Sequence, residues 1–199
     1  IKRLRAAYRD GNPDELCLSW MDHVPGLAAP VIFLVHTTLI HFNYAGDSGG
    51  GLSGSNDAII TVTHSIMANN AAGESGGSAY ATAASLTFDN VSVSESTAGL
   101  QGGGVALTGS KSTGHFSNSD FVKCNASLHG GALAAWSGVA ELTIEDGSFA
   151  QCSAEEQGGA LRVSGTGSLR VANTSFEDCA VGYSTAPICV TLTMIRMSG

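Results

Sequence analysis

The chain has 199 residues, of which 13% are charged, 43% apolar and 26 are glycine, and its formal net charge is −8. That balance suits tight strands and turns and disfavours long helices. With no basic stripe along the chain, duplex nucleic acid and anionic membrane surfaces are poor partners, and no run reaches 18 uninterrupted apolar residues, so no segment reads as a membrane-spanning helix.

Residues 1–30 follow no repeat. Lys2, Arg3 and Arg5 lie near the start, but Pro13, Asp14 and Glu15 intervene before any apolar stretch, which is too late for a secretion signal. Glu15-Leu16-Cys17-Leu18-Ser19-Trp20-Met21 reads as a short helix or strand. A stacked solenoid otherwise exposes an apolar cross-section and unpaired strand edges at its end. The segment 1–30 is therefore expected to be an N-terminal cap, or the linker from a preceding module. The chain begins with Ile rather than Met, which suggests a fragment of a longer protein.

The next segment, Val31-Ile32-Phe33-Leu34-Val35, reads as a buried strand and opens a repeat domain over 31–199. Glycine doublets follow at Gly49-Gly50, Gly76-Gly77, Gly102-Gly103, Gly130-Gly131 and Gly158-Gly159, spaced 27, 26, 28 and 28 residues apart. A fixed period of that size marks one structural unit copied along an axis. Each doublet introduces a short apolar alternation: Ala79 and Ala81, Val105 and Leu107, Leu133 and Ala135, Leu161 and Val163. A second alternation comes about ten residues later, in Ile60 and Val62, Leu86 and Phe88, Leu142 and Ile144, and Leu169 and Val171; the copy between Gly102 and Gly130 has Phe116 alone. A third phrase closes the unit as Phe121-x-x-Cys124, Phe149-x-x-Cys152 and Phe176-x-x-Cys179, with Met67-x-x-Asn70 and Val93-x-x-Ser96 in the earlier copies. Period-two alternation is the mark of a strand with one buried face. Three such strands per unit, divided by Gly-, Ser-, Asn- and Asp-rich turns, leave no room for a helix. Pro187-Ile188-Cys189-Val190-Thr191-Leu192 reads as the opening strand of a further coil.

The doublet glycines have a physical role in such a coil. A corner often needs positive φ, and the absence of a side chain lets neighbouring coils approach closely. Gly76, Gly77, Gly102, Gly103, Gly130, Gly131, Gly158 and Gly159 are therefore structural candidates, together with Phe121, Phe149 and Phe176. Other solenoids fit less well: the Leu-x-x-Leu-x-Leu phrase of leucine-rich repeats is missing, the calcium-binding nonapeptide has a shorter period, and a propeller blade needs about forty residues.

Chemistry is harder to read. Cys124, Cys152 and Cys179 recur at the repeat spacing and should stack as a ladder on the inner side of one corner. No Cys-x-x-Cys pair suggests zinc, and a disulfide between neighbours would leave a third thiol, so reduced thiols acting as small apolar residues are expected. Cys17 and Cys189 lie off the ladder, and five cysteines leave at least one without an internal partner. The six histidines share no metal-like spacing, and His64 falls in a turn slot held elsewhere by Asn90, Asn118, Asp146 and Asn173. Turn carboxylates such as Glu74, Glu95, Glu145-Asp146, Glu155-Glu156 and Glu177-Asp178 could serve glycoside hydrolysis or calcium. The cations Lys111, Lys123, Arg162 and Arg170 are scattered, however, so solvated surface charge is the expectation. Tyr80 and Trp136 fall at outward strand positions without a surrounding charged cluster, and the threonines do not align as a flat crystal-binding face would need. Sequons for glycosylation occur at Asn90, Asn125 and Asn173. No catalytic, cofactor-binding or metal-binding residue is assigned, and no cofactor is expected.

The phrases Gly130-Gly131-Ala132-Leu133 and Gly158-Gly159-Ala160-Leu161, each followed by Phe-x-x-Cys, resemble the GGA[ILV]/FxxN repeats of the chlamydial polymorphic membrane proteins. The resemblance runs over roughly residues 40–190 and is strongest over 102–181. In this chain Cys124, Cys152 and Cys179 replace the Asn of FxxN, and only Asn70 keeps it. The expected fold is all-β: a right-handed single-stranded parallel β-helix of about six coils of ~27 residues, with three short strands per coil. The resemblance implies an extracellular or cell-surface segment, adhesin- or passenger-like, that meets a cell-surface protein or glycan ligand and not nucleic acid. The alternative is a carbohydrate-active β-helix enzyme, a polysaccharide lyase or glycoside hydrolase. The uniformity of the copies leans away from catalysis, because an active site should interrupt the repeat.

Overall fold

A computed structural model describes residues 32–182 and 188–191. The cap or linker expected over 1–30, with Cys17, lies outside the described residues. Those that are described contain strands and turns and no helix. The strands are parallel and stack as a β-solenoid of about six turns, each coil of about 27 residues contributing to three sheets.

The first sheet takes the strand after each doublet: Leu52–Ser55, Ala79–Thr82, Val105–Thr108, Leu133–Trp136, Leu161–Ser164 and Ile188–Thr191. They pair in sequence order and in strict register, with Val105 opposite Ala79 on one side and Leu133 on the other. The last strand is the opening of a further coil that the sequence suggested at Ile188. The second sheet is the largest and is bent. Each coil gives it two segments, such as Thr113–Ser117 and Asp120–Val122, joined across two residues of which the first, here Asn118, has left-handed backbone. In Ile59–Ala68 and Ser85–Ser94 the two segments merge into a single ten-residue strand. The third sheet is a stack of two-residue strands, from Tyr44–Ala45 to Ala180–Val181. The coil is thus three-sided, but the Phe-x-x-Cys phrase divides between two sides: the Phe belongs to the bent sheet and the residues after the Cys to the short one.

Corners repeat by conformation. The bend in the second sheet is Thr37, His64, Asn90, Asn118, Asp146 and Asn173, each with φ between 48° and 55°. Asn and Asp tolerate this region because their short polar side chains can bond the local backbone. The next corner is Phe42, Asn69, Glu95, Lys123, Gln151 and Asp178, with φ from 51° to 55°. Six consecutive coils hold a costly backbone state at the same place, so the stack rather than local preference enforces it.

From the bent sheet, three columns run along the inside of the coil. One is Ile60, Leu86, Gly114, Leu142 and Leu169; another is Val62, Phe88, Phe116, Ile144 and Val171. The third is Ile40, Met67, Val93, Phe121, Phe149 and Phe176. Gly114 explains why the copy between Gly102 and Gly130 reads weakly: a Cβ there would sit 2.4 Å from Leu107 Cδ1 and 3.0 Å from Phe116 Cε2. The Phe116 ring, edge-on to Phe88 at 5.4 Å, occupies the room that an aliphatic residue takes in other coils. Phe121, Phe149 and Phe176 stack with centroids 4.8 and 4.9 Å apart and planes within 10°. This is the coil spacing itself, so the ring column transmits the stacking of the backbone.

Candidate functional site

The doublet glycines divide their labour. Gly76, Gly102, Gly130 and Gly158 have φ of 60–68° and turn the corner. Gly77, Gly103, Gly131 and Gly159 sit where coils touch: a Cβ on Gly131 would lie 2.1 Å from the Gly159 carbonyl oxygen and 2.2 Å from that of Ser153. The other three have comparable clashes of 2.2–2.3 Å with backbone oxygens. These residues build the coil and touch no ligand-accessible surface.

Cys124, Cys152 and Cys179 are buried and free. Each thiol lies against a carbonyl of the preceding coil: Cys124 with Val93, Cys152 with Phe121 and Cys179 with Phe149, at 3.5–3.7 Å. Hydrogen bonding to the neighbouring thiol Cys124, then burial, pushes Cys152 up to about 12, and Cys179 is also pushed up by its bond to Cys152. Thiols held so firmly protonated are poor nucleophiles and poor metal ligands. The same slot in the earlier coils is polar. Asn43 donates its side-chain amide to Asn70 Oδ1 (3.0 Å), which also accepts the Asn43 backbone N–H (3.1 Å). Asn70 Nδ2 donates to the Ile40 carbonyl (2.9 Å) and to Ser78 (3.3 Å), and Ser78 meets Ser96 at 2.7 Å. The sequence reading that only Asn70 keeps the Asn of the repeat is therefore corrected. Asn43 holds the slot as well, and its signal was Ile40-x-x-Asn43, the spacing of Met67-x-x-Asn70 with an aliphatic lead residue.

His64 is a bend residue with φ 48°, its ring edge-on to His36 at 5.3 Å. Three carboxylates at the bend of the second sheet, Asp89, Glu145 and Asp146, are tied to neighbouring coils. Asp89 accepts from Asn118 (3.1 Å) and Ser117 (2.9 Å), which together hold it below the usual carboxylate range. Asp146 accepts from Asn173 (3.0 Å), and Glu145 from Arg170 (2.5 Å). Among the described residues no group of three or more His, Cys, Asp or Glu side chains is placed to hold a metal ion. The sequon asparagines Asn90, Asn125 and Asn173 are exposed.

Two sequence readings change on the outer faces. The threonines do align in part: Thr61 pairs with Thr87, and Thr143 stands in the same column one coil beyond His115. Leu34 and Arg170 complete that column, so the row is mixed rather than a threonine array. The second change concerns Tyr80 and Trp136. Both are half-buried on the outer side of the first sheet, as their strand positions suggested. Arg162, which looked scattered in sequence, shares the column of Tyr80, in the order Tyr80, Ala106, Ala134, Arg162. Its Nη1 donates to Gln101 Oε1 (3.0 Å), two coils back. His129, whose strand-like turn bridges Gln101 on one side and Gln157 on the other, lies in the intervening coil and faces Glu156 across 3.7 Å. Burial and the Arg162 charge both push the His129 ring down, towards its neutral form. Burial pushes the Tyr80 phenol up, against its bond to Thr82, so it stays a neutral donor. Only the register brings these residues, far apart in sequence, onto one face.

Fold and surface together define a parallel β-solenoid with regular outer faces and one small mixed cluster of aromatic, cationic and amide side chains. No known protein family, curated protein or solved structure matches the chain.

Proposed function

We propose that this chain is a non-catalytic β-helical repeat segment of an extracellular or cell-surface protein, working as an adhesin- or passenger-like structural and binding module. The observation that carries the reading is the unbroken register. In the bent sheet, residues pair one to one from Ile32–His36 through to Ser168–Ala172 without an inserted or displaced strand. A catalytic centre needs several charged groups converging at one place. Among the described residues the carboxylates are instead spread along the coils, and Asp89, Glu145 and Asp146 bond to the next coil. Such a rod presents side chains at the coil spacing, about 4.8 Å, and can span distance while offering one long contact surface. The resemblance of its Gly-Gly-Ala-Leu phrases to surface-protein repeats supports the same reading.

The test has two arms. Binding of the purified chain to cultured cells should survive alanine substitution at Glu95, Asp146 or Glu177 taken singly. Incubation with uronate and neutral polysaccharides should release no new reducing ends or unsaturated products. Steady turnover of any of these polymers would sink the reading in favour of a polysaccharide lyase or hydrolase.

A further inference from the structure

The outer face of the bent sheet is apolar in the first two coils and polar beyond them. Ile32 pairs with Ile59, and Leu39 with Ile66, while Leu34 lies between the two pairs on the same face. All five side chains are exposed: Leu39 is 53% open to solvent, Ile66 50% and Ile59 37%, and Ile32 and Leu34 are more open still. None of them serves the core, which takes the alternate residues Phe33, Val35, Ile40, Ile60, Val62 and Met67. Their columns continue into later coils as Ser85, Thr113 and Glu141, and as Ser92, Asp120 and Ser148. The patch is therefore confined to the end of the sheet that residues 1–31 lead into. Large aliphatic side chains gathered on one face at a sheet end make an adhesive surface, which folded chains ordinarily cover.

We propose that this face is the docking site of the chain's own segment 15–21. Leu16, Leu18 and Trp20 recur there at every second position, a spacing that lets three apolar side chains meet the sheet together. Residues 22–31 connect the segment to Ile32 and reach about 33 Å when extended, several times the spacing of about 5 Å between the two coils. Pro25-Gly26 within that connection is a turn signal, so the chain can reverse onto the strands that follow it. Charge points the same way. Lys2, Arg3, Arg5 and Arg9 precede the first carboxylate of the chain, whereas Asp120 and Glu141 stand exposed on this sheet face beyond Ile66 and Ile59. A segment that lays its apolar residues on the first coils and runs on along the axis brings those cations towards these carboxylates, about 10–15 Å further along. Tethering by a short connection gives the segment an effective concentration on the order of millimolar, which favours it over a second copy of the chain. The inference goes beyond the surface-module reading and does not depend on it.

Tryptophan fluorescence of the whole chain decides it, because Trp136→Phe leaves Trp20 as the only tryptophan. In that background Trp20 should emit at short wavelength and resist quenching by acrylamide. Leu34→Asp, at an exposed position, should lower the ratio of docked to free segment about tenfold or more. It would be read as a red shift, with quenching that approaches that of the urea-unfolded chain. Ile66→Asp should act in the same direction, and Ser148→Asp, in a later coil of the same face, should leave Trp20 unchanged. Circular dichroism and thermal melting establish that each variant is folded. A photoreactive benzoylphenylalanine in place of Trp20 should crosslink within its own chain to residues 32–41 or 59–68. Quenching of Trp20 as strong before Leu34→Asp as in urea, an unchanged signal in folded Leu34→Asp, or crosslinks to another part of the solenoid each overturns the proposal. Crosslinks between chains, or a dimer in sedimentation that Leu34→Asp dissolves, would give the face to a second copy and overturn it as well.

Discussion

The first coils and the last coils of this solenoid use the same backbone and fill it differently. In one inner column Ile40, Met67 and Val93 give way to Phe121, Phe149 and Phe176; in the adjoining corner slot Asn43, Asn70 and Ser96 give way to Cys124, Cys152 and Cys179. Both columns switch between the same two coils. The early coils secure the corner with directional amide bonds, since each Asn satisfies carbonyls and N–H groups that would otherwise be buried unpaired. The late coils secure it by bulk: stacked rings fill the interior, and a small thiol that needs little from its surroundings sits beside them. The outer face changes too. Ile32 and Leu34 are 71% and 70% exposed, and Leu39 and Ile66 also face out, where later coils carry Thr113, His115, Asp120 and Ser148. The difference teaches that a solenoid corner tolerates two chemistries provided that each runs as a continuous column.

The largest effect expected from breaking this comparison lies at the doublets. Gly131→Ala forces a Cβ into two backbone oxygens at 2.1 and 2.2 Å, whereas nothing lies within 4 Å of a Cβ on Gly46. Gly131→Ala should destabilise by about 4 kcal/mol or more, or abolish folding. Gly46→Ala should change stability by less than about 0.5 kcal/mol in denaturant melts. Similar midpoints for the two variants would show that coil contact at the doublet is not what fixes the stack.

A middling effect should separate the two ladders. Asn70→Ala strips partners from Asn43 and from the Ile40 carbonyl and should cost about 3 kcal/mol, because buried groups are left unpaired. Cys152→Ala removes one sulfur from an apolar slot and should cost about 1–2 kcal/mol, chiefly as a small cavity. The comparison sharpens if Asn70→Cys proves as costly as Asn70→Ala, for a lone thiol cannot replace the amide network. Equal costs at positions 70 and 152 would argue that the two corners are held alike.

One effect is absent at neutral pH and appears only in alkali. Cys152 ionises near its ordinary value of 9.0 when unfolded and at about 12 when folded, so the folded chain keeps a proton that the unfolded chain releases. Its contribution is intact below pH 9 and is lost progressively as pH rises towards 12. Cys152→Ala should flatten part of that alkaline decline in thermal melts. At pH 8, iodoacetamide should label Cys189 well before any ladder thiol, as mass spectrometry of the native chain can show. Early labelling of Cys152 would contradict its burial.

Much of the architecture was legible because a repeat prints its geometry in the sequence. The Gly-Gly period, the two alternations and Phe-x-x-Cys already implied parallel strands, a coil of this length and thiols in one column. His64 could be placed at a turn simply by aligning it with Asn90 and Asn118. Two features were not legible. The division of the Phe-x-x-Cys phrase between two sheets depends on left-handed residues such as Lys123 and Gln151, which carry no left-handed preference and adopt it because the coils on either side do. The cluster of Tyr80, Arg162, His129 and Gln101 spans residues drawn from four coils, and no local pattern connects them.

The sequence by itself determined the repeat, its period and which residues face inward, because burial of every second side chain must be written into each strand. Only the tertiary structure decided which outward side chains meet. Outer positions are free of the packing constraint, so their neighbours are set by register between coils, and register is a property of the stack rather than of any one strand.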